Sequence, residues 1–449
     1  MAQHGKSVVV YEAQEQIGGG ARSAELTLPG FTHDICSSVY PLGIGSPFFR
    51  ALPLAQYGLE WIQPPAAVAH PFDDGTAVTL EPAVDTTAAE LGVDELAYRR
   101  LMTPLVAAWD RLAADLLGPL RLPRHPWEFS RFGLLAIQPG RRLAEARFKA
   151  ERAKGFFAGL VAHSMLPLEY WGSAAFGLVL AISGHAVGWP LARGGAQKLT
   201  GALAGYLLSL GGEIISSRPV RKLDELPPAR VVLCDVTPRQ LLAIAGENLS
   251  PSYRTKLAGY RYGMGAFKMD WGLSSPVPWK ARECARAATI HLGGTLAEIA
   301  FSEQSAWHGE QIEKPFVLLV QPSLFDRARA PEGKHTLWGY CHVPNGSTFN
   351  MTERIEKQIE RFAPGFRDLV VQRSIMSPRE LEKRNANLVG GDINGGAPTL
   401  SQLFFRPTVK MYATSVKGLY ICSASTPPGG GVHGMCGHFA ARQALQEMF

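Results

Sequence analysis

Lys6-Ser-Val-Val-Val-Tyr-Glu-Ala-Gln-Glu-Gln-Ile-Gly-Gly-Gly-Ala-Arg-Ser23 is an apolar strand ending in an acid, followed within a few residues by three successive glycines and an arginine. An acid at the C-terminal end of the second strand of a dinucleotide-binding fold accepts hydrogen bonds from an adenosine ribose, which makes Glu12 the ribose candidate. Gly18, Gly19 and Gly20 let backbone pass close to a cofactor. Arg22 is placed to neutralise a pyrophosphate.

The other end of the chain carries a matching piece. In Gly418-Leu-Tyr-Ile-Cys-Ser-Ala-Ser-Thr-Pro-Pro-Gly-Gly-Gly-Val-His-Gly-Met-Cys-Gly-His-Phe-Ala-Ala-Arg-Gln-Ala-Leu445, Leu419 to Cys422 reads as a short buried strand and Gly434 to Met448 as a helix. Glycines before the helix allow close backbone approach, and N–H groups at its start can receive an anionic or electron-rich group. His433 sits in that turn, where it could donate or accept a proton.

Composition bounds the rest. A chain of 449 residues, 46% hydrophobic and 19% charged, buries a large core and forms two domains or more. The formal charge of +6 is spread along the sequence without a dense Lys/Arg block, so nucleic acid is not an expected partner. Six scattered cysteines without a C-x-x-C pair read as buried thiols in a reducing compartment. No run approaches the roughly 18 apolar residues that span a bilayer, and no signal-peptide pattern opens the chain; the expectation is a soluble, cytoplasmic protein.

Read in order, Met1 to Gly5 is the last turn of a helix closed by Gly5, leading straight into the first strand. The chain therefore opens inside a βαβ unit. A dinucleotide fold needs an earlier strand and its G-x-G-x-x-G turn, so either the native start lies upstream or the cofactor site is impaired, with an unpaired strand edge left behind.

Ser46-Pro47 starts a short helix, Gly58 to Leu80 fits strands turning at Asp73-Asp74-Gly75, and Asp94 to Leu117 has helical spacing. Trp127 to Gly188 is helical and apolar, with Trp171 and Phe176 expected to line a pocket or to lie on a membrane surface. Gly188 to Leu199 returns to the first domain. Val220 follows the strand Glu213 to Ser216, where its backbone can meet adenine. A second excursion, Tyr253 to Asn385, alternates as strands around Gly265 to Gly272, Thr289 to Leu292, Phe316 to Gln321 and Thr336 to Val343, with a helix at Thr352 to Phe362. Lys268 and Asp270 share one strand face, read as solvated rather than as a buried pair; Asp392 reads as a turn former, and no residue grouping has metal-ligand spacing.

The Glu12 strand end, Gly18-Gly-Gly-Ala-Arg-Ser23, Pro190-Leu-Ala-Arg-Gly-Gly195, Gly211-Gly-Glu-Ile214 with Val220, and the closing stretch together resemble the phytoene-desaturase-like branch of FAD-dependent oxidoreductases. Gly390-Gly-Asp-Ile-Asn-Gly-Gly396 and Val432-His-Gly-Met-Cys-Gly437 are similar to bacterial relatives of pyridine nucleotide-disulphide oxidoreductase domain-containing protein 2. The resemblance implies an α/β fold: a glutathione-reductase-type, Rossmann-like FAD-binding domain lacking its first strand and glycine loop in this chain, with an inserted mixed-sheet and helical substrate domain. The FAD domain would comprise residues 1–60, 188–252 and 386–449, and the substrate domain 61–187 and 253–385. It also implies hydride removal from a substrate C–H to the flavin, with Gly430, Gly431 and Val432 at the flavin carbonyl side and His433 as catalytic candidate. Expected partners are a small lipophilic substrate and an electron acceptor, with peripheral contact to a membrane and a second copy of the chain left open. A non-catalytic flavin-fold protein acting through protein partners is the alternative.

Overall fold

A computed structural model describes residues 1–449. The largest sheet has seven strands in the order Val370–Met376, Gly265–Leu273, His335–Val343, Val317–Val320, Ala287–Leu292, Ala66–Pro71, Ala77–Thr79. All neighbours are antiparallel except Ala66–Pro71 beside Ala287–Leu292. The sheet thus draws two strands from 66–79 and five from 265–376.

Strand alternation sorts the side chains. Phe267, Met269 and Trp271 point to one face with Ile290, Leu319 and Leu337, where Ile355, Ile359 and Phe362 of the helix Thr352–Phe362 cover them. That helix has the bounds the sequence pattern predicts, because its apolar stripe recurs every three or four residues. Lys268 and Asp270 point to the opposite face.

The second core is helical. Glu151–Ala162 and Ser173–Ala186 are apolar nearly all round and are buried together against the sheet. Their close crossing depends on Gly177, where a Cβ would lie 2.6 Å from Val161 Cγ2 and 3.2 Å from its backbone nitrogen.

The dinucleotide-type strands form two separate parallel pairs: Val9–Tyr11 with Glu213–Ile215, and Val232–Cys234 with Leu419–Ile421. Val9–Tyr11 has one neighbouring strand, and Val9 and Val10 are exposed on it. Ahead of it, Ala2–His4 is a single 3₁₀ turn closed by Gly5 in the left-handed region. No helix is long and apolar enough to cross a membrane, and all six cysteines are free thiols.

Gly177→Ala should cost about 1–3 kcal/mol through overpacking at the helix crossing. Urea unfolding followed by circular dichroism measures it.

Candidate functional site

Two glycine loops meet over one small apolar cluster. Ala21 joins Tyr40, Phe49, Ala192, Ala196 and Leu199 in that cluster, and Val432 packs against it. Gly18, at φ 118°, has no room for a side chain: a Cβ would stand 2.8 Å from Thr200 Oγ1 and 2.9 Å from the Ala21 carbonyl. The backbone N–H groups of Gly18, Gly19 and Gly20 have no protein acceptor, and neither do those of Gly430, Gly431 and Val432. Two rows of open donors therefore flank the same cluster.

The other candidates distribute around these loops. Glu12 Oε1 accepts from the Gln14 N–H at 2.8 Å, and its carbonyl accepts from the Arg218 N–H, two residues before the half-buried Val220. Asp235, exposed at the end of the strand Val232–Cys234, stands close enough to feel the Glu12 carboxylate, which raises its carboxyl above the usual range. Arg22 is buried and donates to the carbonyls of Gly19 at 2.8 Å, Gln16 at 3.4 Å and Arg384 at 3.5 Å, so its guanidinium fixes the glycine loop. His433 is buried; Nδ1 accepts from the Met435 N–H at 3.0 Å and its carbonyl accepts from Ser46 Oγ at 2.7 Å. Burial drives its pKa down to about 4, so the ring is neutral near pH 7 with its proton on Nε2, which has no partner.

Two features escaped the sequence reading. Lys268 and Asp270 are a buried ion pair, not a solvated face, because the hairpin Ser23–Glu25 and Thr32–Asp34 lies over their side of the sheet. Asp270 Oδ1 lies 3.5 Å from His33 Nδ1. Burial outweighs the Lys268 ammonium and raises the Asp270 carboxyl to about 6, while burial, then Lys268 and Arg329, lowers His33 to about 3. Next to it, Asp34 pairs with Arg329 and accepts from Ser23 Oγ at 2.7 Å and the Ala196 N–H at 2.8 Å. A Cβ at Gly195 would collide with Ser23 and Arg329, which explains the glycines of the Pro190–Gly195 motif. The available signal was His33-Asp34 itself, an imidazole and an acid directly after the glycine loop.

From Lys268 a polar and aromatic row continues along the same sheet face. Lys268 Nζ lies 5.4 Å from the Trp338 ring centre, Trp338 stacks on Tyr340 at 5.9 Å, and Tyr340 neighbours His342 at 5.6 Å. His342 Nδ1 bonds Glu303 at 2.7 Å, and His163 Nε2 lies 2.9 Å from His291 Nε2. Trp338 Nε1, His342 Nε2, His291 Nδ1, His70 Nδ1 and Thr289 Oγ1 are buried without partners. Such a concentration calls for water or a ligand. Phe176 is half-buried, and of the two placements expected for Trp171 the pocket wall is excluded: it is 53% exposed because it precedes the left-handed Gly172 on an outer turn. Asp392 is buried and holds its loop by accepting from the N–H groups of Gly263 at 2.8 Å and Asn394 at 2.7 Å, the turn-forming role the sequence suggests.

Residues 1–52 match the NAD(P)-binding Rossmann-like domain family. The chain is 25% identical over 413 residues to mouse (Mus musculus) pyridine nucleotide-disulfide oxidoreductase domain-containing protein 2, covering 81% of this chain and 68% of that protein. It is 26% identical over 276 residues to phytoene desaturase (neurosporene-forming) of Rhodobacter capsulatus, covering 54% of this chain and 51% of that one. Among solved structures, an oxidoreductase from Methanosarcina mazei superposes with TM-score 0.68 at 14% identity, covering 99% and 95% of the two chains. The chain is therefore a relative of these proteins, with a Rossmann-like N-terminal segment and the fold of a known oxidoreductase.

Arg329→Met, which leaves Asp34 buried and unpaired, should lower stability by about 3–5 kcal/mol in denaturant unfolding. A pH dependence follows from the histidines. His33 and His163 are held at about 3, His70, His185 and His433 at about 4, and His291 well below its ordinary 6.5, all chiefly by burial. The unfolded chain binds protons near 6.5 that the folded chain refuses, so stability is full above about 7.5 and falls progressively as pH drops toward about 4, where the folded imidazoles begin to protonate. Below about 6 the raised carboxyl of buried Asp270 acts in the opposite sense and offsets only a small part of the loss. Calorimetry across this range, with about three protons taken up on unfolding near pH 6.5, checks it.

Proposed function

We propose that this chain is an FAD-dependent oxidoreductase with a glutathione-reductase-type cofactor domain, removing hydride from a C–H of a lipophilic substrate. The observation that carries the reading is the pair of open N–H rows, Gly18 to Gly20 and Gly430 to Val432, held over one apolar cluster. Donors without acceptors suit an electron-rich ring edge and a phosphate-bearing chain. Glu12 keeps one carboxylate oxygen for ribose hydroxyls, and Val220 stands near it for adenine. Arg22 fits a pyrophosphate less well, since its donors already face carbonyls; its part is to hold the glycine loop.

FAD, when bound, supplies a two-electron acceptor for the hydride. His433, neutral and with Nε2–H unpartnered, would hold or pass a proton beside Gly431. The Trp338, Tyr340 and His342 row offers a substrate surface of aromatic faces edged by unpartnered polar atoms, suited to a largely apolar substrate that carries a few polar points. A lipophilic substrate is supported by that surface and by the relationship to a phytoene desaturase. The engaged Arg22 favours the second reading, a flavin-fold protein acting through protein partners.

The deciding experiment is the visible spectrum of the purified chain, before and after incubation with FAD, with released flavin quantified after denaturation. About one FAD per chain is expected, with Gly431→Val lowering affinity roughly tenfold or more by filling the donor row. No flavin retained and none taken up would remove the cofactor reading and leave the partner reading. In a flavin-loaded protein, His433→Gln should slow anaerobic flavin bleaching by an apolar substrate roughly a hundredfold at unchanged flavin content. Bleaching by small polar amines alone would overturn the lipophilic assignment.

A further inference from the structure

The segment from Leu120 to Ile137 presents apolar side chains to solvent in a way the core does not require. Leu122 is 92% exposed, Trp127 80% and Leu134 72%, with Leu120 and Ile137 also open. Within the helix Pro126–Ala136, Phe132 and Ala136 turn inward, while Trp127, Arg131 and Leu134 share the outer face at i, i+4 and i+7. The surface continues past the helix end: the Gly172 N–H bonds the Ile137 carbonyl at 2.7 Å, setting exposed Trp171 beside Ile137, and Gly172 abuts Leu400 of the helix Leu400–Phe404, whose end exposes Phe405. Single exposed apolar side chains are ordinary; a connected set of this kind marks a contact surface.

Charge indicates what it contacts. Leu120 to Arg142 contains five arginines and one acid, Glu128, an excess of four positive charges. Glu128 is held by Arg111 at 2.9 Å, Arg141 is paired with Glu145 and Glu169, and Arg121 leans on Asp115. Arg124, Arg131 and Arg142 are exposed and without carboxylate partners. Arg111, Trp127 and Arg131 also rim a shallow cavity of about 170 Å³. Exposed Leu and Trp on a short helix, ringed by unpaired arginines, form the composition of a helix lying in a lipid headgroup layer, with Trp at the interface and cations toward anionic phosphates.

We propose that this face docks on an anionic phospholipid bilayer, the Leu122, Trp127 and Leu134 side chains entering the headgroup region while Arg124, Arg131 and Arg142 face lipid phosphates. The contact is superficial, since no helix can cross. It also lies one helix away from the candidate site: Ser173–Ala186 packs on the Pro126–Ala136 helix and on Pro41–Ile44, where Gly43 meets the Val432 carbonyl. The proposal stands on the exposed residues and does not depend on the flavin reading.

Co-sedimentation of the full chain with vesicles of phosphatidylcholine alone, and of phosphatidylcholine with one-third phosphatidylglycerol (~), tests it. Binding to the anionic vesicles should exceed binding to neutral ones by roughly tenfold or more and weaken at high salt. Trp127→Glu with Leu134→Glu, and separately Arg124→Glu with Arg131→Glu, should each lower partitioning roughly tenfold or more. All four side chains lie on the surface, so thermal melting should match the parent chain and separate lost docking from lost folding. A parent chain that stays in the supernatant with anionic vesicles, or variants that bind as well as the parent, would overturn the proposal. So would a dimer that the apolar variant dissociates while vesicle binding is absent, which would assign the face to a second copy.

Discussion

One buried carboxylate, Asp34, ties together three lengths of chain far apart in sequence. Its oxygens receive Ser23 and Ser38 from its own neighbourhood, the Ala196 N–H from the returning segment, and Arg329 from the second excursion. Arg329 in turn donates to the Thr32 carbonyl at 3.2 Å. Desolvating two charges costs several kcal/mol, and the interior attraction offsets it only when the remaining lone pairs and protons also find partners. Here they largely do. The cluster therefore contributes position more than stability: the Gly18–Arg22 loop enters the hairpin that Asp34 closes, so its placement is inherited from this carboxylate.

The same hairpin decides the character of the sheet below it. On the far face, Phe267, Met269, Trp271 and their neighbours meet an amphipathic helix and make an ordinary apolar core. On the near face, Lys268 and Asp270 lie under His33, and the row beyond them carries imidazoles, indole and hydroxyl with several atoms left unpartnered. Burying such groups without partners is unfavourable. A face that stabilised the fold alone would be apolar like its reverse, so the polar row asks for partners that the protein itself does not supply.

Much of the scaffold was legible from local pattern. Strand alternation located the segments of the seven-stranded sheet except the edge strand Val370–Met376, the spacing of Ile355, Ile359 and Phe362 fixed a helix, and Asp73-Asp74-Gly75 and Gly5 marked turns, because these signals arise within a few residues of one another. The glycine loops were legible for the same reason. What failed depended on distant chain. Lys268 and Asp270 look solvated until a hairpin from the first forty residues or so covers them. Trp171 fits a pocket wall and an outer surface equally until its turn is seen to face outward. Arg22 looks available to a phosphate until the carbonyls of its own loop and of Arg384 claim it. Composition cannot distinguish these cases, since each is set by which other segment arrives.

The candidate site makes opposite chemical demands at its two ends. Glu12 follows the strand Val9–Tyr11 and Asp235 follows Val232–Cys234, so two acids stand just past the carboxyl ends of parallel strands, where open α/β sheets receive their ligands. Two neighbouring carboxylates repel a further anion, so that end is suited to hydroxyl donors. At the other end, Gly430 to Val432 present N–H groups without acceptors, suited to carbonyl or other electron-rich edges and indifferent to hydroxyl-donor chemistry. A ligand that satisfies both is elongated, with a polyol portion at one end and an electron-rich ring at the other. FAD has that polarity, and the sequence order of the acid, the glycine loop and the closing glycine turn matches it from ribose to ring.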